Sequence, residues 1–385
     1  MPLVNAWEYN PYRLKFNVPC WAMTTTVLFF IFGGWKTMQF SAQMFKSGIN
    51  AKNIVSIVFF CINFVICINF LNLARNWPQL IQYWTRIDLL FLMPPYKPPK
   101  WPLRKQLRTL LIGFWITALV EHCLFYASGY YNFRMRRLYC HPHDVHYSFK
   151  DYIQMELFSD IFTYYPYNTF VAVYGFVFIF KRTFTFIWNF LDFFIMAISL
   201  GLATRFHQFN ARIEVLAGCY VPDVVWHSIR REHIILCEFM EHVNDQVSTI
   251  VFLSSLNNMY FICNNLLNIF TKLRFAINYV YFWFSLIFLL SRTFCVFMFA
   301  SEIHDASVLP LKTLYLVPSG CWTVEVQRFT AQIVNEFIGL TGKRFYVVTR
   351  KNLFGMMATI ITYEFMLLQF DQKNLEMGLP DLCSK

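Results

Sequence analysis

Residues 53–74 read NIVSIVFFCINFVICINFLNLA. No charge interrupts this run, and it is long enough for a helix to cross a hydrocarbon core, which takes roughly 20 apolar residues. A transmembrane β-strand would alternate over about 10 residues instead. The unbroken apolar character therefore reads as a membrane-spanning helix. Four asparagines lie within it, at 53, 63, 69 and 72, and an amide inside the hydrocarbon must find its partners without water.

The rest of the chain repeats that pattern. It has 385 residues, of which 57% are hydrophobic and only 14% charged. Soluble domains are nearer 45–50% apolar and about 25% charged, so the composition is that of a polytopic, all-α membrane protein embedded in a lipid bilayer. Seven spans are expected, over 18–35, 53–74, 107–130, 165–206, 249–270, 279–300 and 353–370. The region 165–206 is long enough for two, with Lys181-Arg182 as a turn. Reading it as one long fourth helix concentrates Lys and Arg on the cytosolic side, and splitting it removes that excess. This places the N-terminus in the cytosol and the C-terminus outside.

The expected organisation follows. Residues 1–17 form a cytosolic tail, and 18–206 hold spans one to four with an outer loop at 131–164. Residues 207–248 form a cytosolic helical segment, 249–300 spans five and six, 301–352 a second cytosolic segment, 353–370 the seventh span and 371–385 an outer tail. Periodic apolar residues in SIRREHIILCEFMEHVNDQV (228–247) and in CWTVEVQRFTAQIVNEFIGLTGKRFYVV (321–348) argue for helix there. The net charge of +11 sits in loops between apolar runs, which is a topology signal and not a nucleic-acid surface. Among eleven cysteines there is no CxxC pair, so no metal or redox site is expected. Only Cys140 and Cys383 fall in segments read as outside, where a disulfide can persist.

Polar residues within spans are functional candidates. Glu121 and His122 lie near the outer end of the third span, with Tyr126 one turn on. At similar depth come Tyr165 at the entry to the fourth, Asn265 and Asn268 in the fifth, and Tyr281 and Trp283 in the sixth. Carboxylate, imidazole, amides and aromatic faces together suit a neutral polyhydroxyl ligand. Each aromatic also fits an interfacial belt, and each amide an interhelical hydrogen bond. Asp192 and Arg292, at comparable depth, are read as an ion pair between helices. Glu121 and His122 point about 100° apart on a helix, and there is no HExxH, GxSxG or P-loop. Catalysis is not indicated, and no cofactor is expected. In the seventh span Thr362, Met366 and Gln369 form one stripe. It could pack against its own bundle, or line a pore with Phe370 if several copies surround an axis.

The stretch TYEFMLLQF (362–370) resembles the TYhhhhhQF signature of insect gustatory receptors, where h is apolar; Glu364 departs from it. LARNWPQL (73–80), LVEHCLF (119–125), LSSLNNMYFIC (253–263), FWFSLIFLLSRT (282–293), ASEIHDAS (300–307) and 188–210 resemble the sugar-receptor branch. The N-tail is shorter than is usual there. The resemblance implies an insect chemoreceptor channel: a tetramer in the plasma membrane of sensory dendrites, made of one chain or of related chains, passing cations when sugar binds. Gln369 and Phe370 would carry the gate. A G-protein-coupled chemoreceptor, which needs an external N-terminus, and a sugar transporter, which needs flux, are the competing readings.

Overall fold

In the computed structural model, residues 3–4, 10–17, 21–47, 51–140, 152, 171–269 and 272–371 are described. The opening stretch lies in α2, Ala51–Leu92. Two of its amides find a partner locally. Asn63 Nδ2 donates to the Phe59 carbonyl at 2.8 Å, and Asn69 Nδ2 to the Val65 carbonyl at 2.8 Å. Both carbonyls belong to the same helix one turn back, so each amide satisfies one donor within its own helix.

The other long helices are α1 (Trp21–Ser47), α3 (Leu103–Cys140), α4 (Val171–Glu214), α5 (Asp223–Leu267) and α6 (Ala276–Val308). After them come a short α7 (Pro310–Leu314), α8 (Val324–Asn335) and α9 (Arg350–Asp371). The expected spans are helical where they are described, except that the fifth ends at Leu267 and its residues 268 and 269 form a turn. Four stretches are long and apolar enough to cross a membrane among the described residues: Ile54–Leu92, Leu103–Cys140, Arg182–Glu214 and Ala276–Leu314. The chain passes from Val171 to Glu214 without a break, so Lys181-Arg182 is not a turn. The chain does turn after Glu214. There Gly218 takes a φ of +71°, a left-handed conformation that a Cβ would disfavour.

Two elements depart from the expected all-helical pattern. Leu3–Val4 pairs with Lys15–Phe16 as strands β1 and β2, and Thr341–Gly342 pairs with Tyr346–Val347 as β3 and β4, both antiparallel. The periodic stretch at 321–348 is helical only over Val324–Asn335. Beyond it Lys343 and Arg344 have φ of +47° and +61°, which a helix cannot hold, and the backbone turns into the β3–β4 hairpin.

The chain divides into two compact units. The first comprises Met1–Leu110, Ile187–Asn257 and Thr293–Gly355. Its core is built from helical stripes: Leu202, Phe206, Phe209 and Ile213 on α4, Leu236, Phe239 and Val243 on α5, and Val326, Phe329 and Ile333 on α8, all buried. This three-and-four spacing presents one apolar face per helix. Between these faces run charged ties. Arg205 Nε donates to Asp88 at 2.7 Å, Arg230 Nε to Glu325 at 2.8 Å, and Arg212 pairs with Glu232. Arg350, at the start of α9, reaches Glu302 at 2.8 Å and Asp305 at 2.7 Å on α6. Buried His233 sits among the rings of Phe206, Phe209 and Phe329.

The second unit comprises Leu111–Phe186, Asn258–Arg292 and Met356–Lys385. On α3 the residues Ile112, Ile116 and Leu119 form an exposed stripe. Apolar side chains spaced along one open helix face are what lipid requires, and water would oppose them. Cys140 is disulfide-bonded, while the expected partner Cys383 lies outside the described residues. The other cysteines described carry free thiols.

Candidate functional site

Helix α3 brings the second unit's polar groups together on one side. Glu121 Oε1 accepts from Ser285 Oγ of α6 at 3.1 Å, and the Tyr281 hydroxyl hydrogen-bonds within the same group. Next to it, His122 Nε2 stands 2.9 Å from Nη1 of Arg182 on α4. A guanidinium only donates, so Nε2 accepts, and a neutral His122 then carries its proton on Nδ1. That Nδ1 faces Glu121 Oε2 at 3.8 Å. Two residues adjacent on a helix normally diverge. Here Glu121 leans to α6 and His122 to α4, and the gap between them stays small.

Aromatic rings wall this chain of polar groups. Arg182 lies 4.4 Å above the Tyr126 ring, close enough for a cation–π contact. His122 stands edge-on to Tyr126 at 5.6 Å, and Phe125 to Tyr281 at 5.7 Å. A second polar relay lies about two to three turns along α3. Ser128 Oγ donates to Asn278 Oδ1 at 2.8 Å, and Asn278 Nδ2 donates to Asn132 Oδ1 at 3.0 Å. A carboxylate, an imidazole, hydroxyls and amides between flat rings can match both the hydroxyls and the C–H faces of a ligand.

Of the residues expected here, Glu121, His122, Tyr126 and Tyr281 come together. Trp283 does not: it is 45% exposed and meets Phe282 edge-on at 5.8 Å. Two positions from Tyr281, it points away round the helix. Asn268 is exposed and its Nδ2 donates to the Asn264 carbonyl at 2.7 Å, on its own helix end. Asn265 is half-buried on α5. Tyr165 lies outside the described residues. Asp192 is fully buried and accepts from Ser254 Oγ at 2.5 Å, whereas Arg292 Nη2 donates to Asn258 Oδ1 at 3.3 Å.

Sequence reasoning passed over Arg182 and Ser285 as ligand-site residues. Arg182 gave a signal, since an arginine in an apolar run marks an interior or functional position by default. Ser285 gave none, because serine satisfies itself on many helices. Among the described residues no group of three or more His, Cys, Asp or Glu could hold a metal ion.

On α9, Thr362 Oγ1 donates to the Ala358 carbonyl at 2.8 Å. Its hydroxyl is thus satisfied inside its own helix. Met357, Ile361, Tyr363, Phe365 and Met366 are all exposed on this helix. The side chains of Glu364, Gln369 and Phe370 lie outside the described residues.

Long apolar helices with lipid-ready stripes and an interior polar cluster define a helical integral membrane protein with a ligand-binding character. The family model described as "Trehalose receptor" matches residues 1–383, and the chain belongs to that family, whose relatives below are insect sugar gustatory receptors. It is 50% identical to "Gustatory receptor for sugar taste 61a" of Drosophila melanogaster over 97% of this chain and 85% of that protein. Identity is 38% to "Gustatory receptor for sugar taste 64a" of the same species, over 100% and 84%. To "Gustatory receptor 5a for trehalose", also of that species, it is 32%, over 85% and 71%. In fold it is similar to the insect olfactory receptor OR5 from Machilis hrabei, with a TM-score of 0.56 at 16% identity, over 89% of this chain and 88% of that one. The same receptor in complex with eugenol gives a TM-score of 0.57.

Proposed function

We propose that this chain is a gustatory receptor for sugars that is itself a ligand-gated, nonselective cation channel of the plasma membrane. Sugar binds at the polar cluster of the second unit. Glu121 and His122 take hydroxyls, and Tyr126 and Tyr281 offer ring faces. Four subunits, identical or from related receptors, surround a pore lined by the seventh span through Thr362, Met366, Gln369 and Phe370. The N-terminus is cytosolic and the C-terminus external.

The observation that carries this reading is the Ser285–Glu121–His122–Arg182 chain, set in a family whose relatives are named for sugar taste. The exposed apolar surface of α9 supports a helix that meets lipid or other subunits and is not packed only in its own bundle. Gating requires the sugar to bind the open arrangement more tightly than the closed one. The test is current recording from cells expressing the chain, alone and with a related receptor, across monosaccharides, disaccharides and sugar alcohols. A sugar-evoked, reversible cation current supports the proposal. Labelled sugar uptake without current would make the chain a transporter, and an N-terminal epitope stained on intact cells would restore the G-protein-coupled reading.

A further inference from the structure

The first unit contains a cleft of about 640 Å³ that shares no residue with the polar cluster around Glu121. Its floor is apolar: Leu200 and Ala203 of α4 and Met298 and Phe299 of α6. Lys97 and Lys100 form part of its rim. The loop that carries them is held in place. Gln208 Nε2 donates to the Lys97 carbonyl at 3.0 Å, and Arg205 Nη1 donates to Gln208 Oε1 at 2.5 Å. Neither lysine has a carboxylate partner among the described residues, and both are exposed. The lining does contain one acid, Glu302, but His207 at 3.0 Å and Arg350 at 2.8 Å already engage it.

Depth in the membrane follows from the neighbouring residues. Trp101 is 60% exposed, with Lys105 Nζ 4.6 Å over its ring. A tryptophan with a lysine stacked on it is at home at the headgroup level. Both walls of the cleft belong to stretches long and apolar enough to cross a bilayer. The 97–108 segment is strongly basic, with Lys97, Lys100, Arg104, Lys105 and Arg108, as befits the cytosolic face.

We propose that this cleft binds an anionic phospholipid of the cytosolic leaflet, its phosphate held by Lys97 and Lys100 and its acyl chain laid between α4 and α6. The volume lies within the usual range for small-molecule sites, about 300–1,000 Å³. Apolar floor and cationic rim match the two ends of one amphiphile. A soluble anion would leave the floor unused, and a neutral lipid would leave the lysines unused.

The test uses the full chain, purified and delipidated in detergent, with phosphatidylserine or phosphatidylcholine added back and bound lipid counted by native mass spectrometry. Phosphatidylserine is expected to bind about tenfold or more tightly than phosphatidylcholine, and Lys97→Ala/Lys100→Ala to remove that preference. Ala211→Trp, which fills the cleft from an exposed position, should block both lipids and decides the matter if the double variant fails to fold. Arg104→Ala/Arg108→Ala, which removes equal charge outside the cleft, should keep the preference. The proposal is overturned if that last variant loses it equally, if inorganic phosphate displaces the lipid, or if the two lipids bind alike.

Discussion

In the proposed site Ser285 Oγ donates to Glu121 Oε1 at 3.1 Å, while His122 Nδ1 stands 3.8 Å from Oε2, beyond hydrogen-bond reach. A ligand hydroxyl would complete the shell. Glu121→Gln keeps the shape and removes the charge, and hydrogen bonds to charged groups contribute about 1.5–3 kcal/mol. The half-maximal sugar concentration for current should therefore rise about tenfold or more, with surface expression unchanged; an unaltered dose–response curve would remove Glu121 from the site. His233, in the first unit, is a different case. Burial among three phenylalanine rings pushes its pKa down to about 4. Above about pH 6.5 the ring is neutral folded or unfolded, and its environment costs nothing. As pH falls from there towards 4, only the unfolded chain takes up the proton, and stability drops by up to about 3 kcal/mol. Thermal melting of the purified receptor should fall across that window, and His233→Gln should flatten the profile.

Helix α4 is the element on which most depends. Its Gly201 lets Trp84 of α2 approach so closely that an added Cβ would sit 2.7 Å from Cζ2 of the indole. The ring cannot swing aside freely, because its other contact is Phe239, fully buried and edge-on at 5.1 Å. Gly201→Ala should thus overpack the core and destabilise by about 1–3 kcal/mol, read as a melting temperature lower by several degrees. Wild-type melting would show that the helices have room to separate. Helix α9 presents the reverse situation, with Met357, Ile361, Tyr363, Phe365 and Met366 exposed on it. If its outer end forms the constriction, Phe370→Ala should raise the basal current and weaken the dependence on sugar. Unchanged basal and evoked currents would place the gate elsewhere.

At the scale of the whole molecule, the two units differ in make-up. One is rich in salt bridges between long helices, and its core is closely packed. The other carries exposed apolar stripes and a partly open polar cluster. Charge ties such as Arg230–Glu325 and Arg350–Glu302 gather elements far apart in sequence.

That the chain forms long apolar helices of a membrane protein was legible in the sequence. Apolar length and helical spacing are properties of the chain itself, and lipid leaves only one way to satisfy the backbone. TYEFMLLQF and its companion motifs likewise pointed to the family from residues alone. Which polar groups meet was legible only in part: Glu121, His122, Tyr126 and Tyr281 were grouped from the sequence, while Arg182 and Ser285 were not. Arg182 looked like a turn or a stray charge until α4 set it against His122 and Tyr126. Trp283 looked like a platform until the rotation of α6 turned it outward. Thr362 seemed to need a polar partner, but its own helix supplies one at Ala358. The β3–β4 hairpin hid inside a helical period. Sequence determined that these helices form and that they belong in a membrane, because hydrophobic length acts through each segment separately. Only the tertiary structure decided which side chains face one another, because that rests on helix rotation, and one residue of rotation turns a side chain by about 100°.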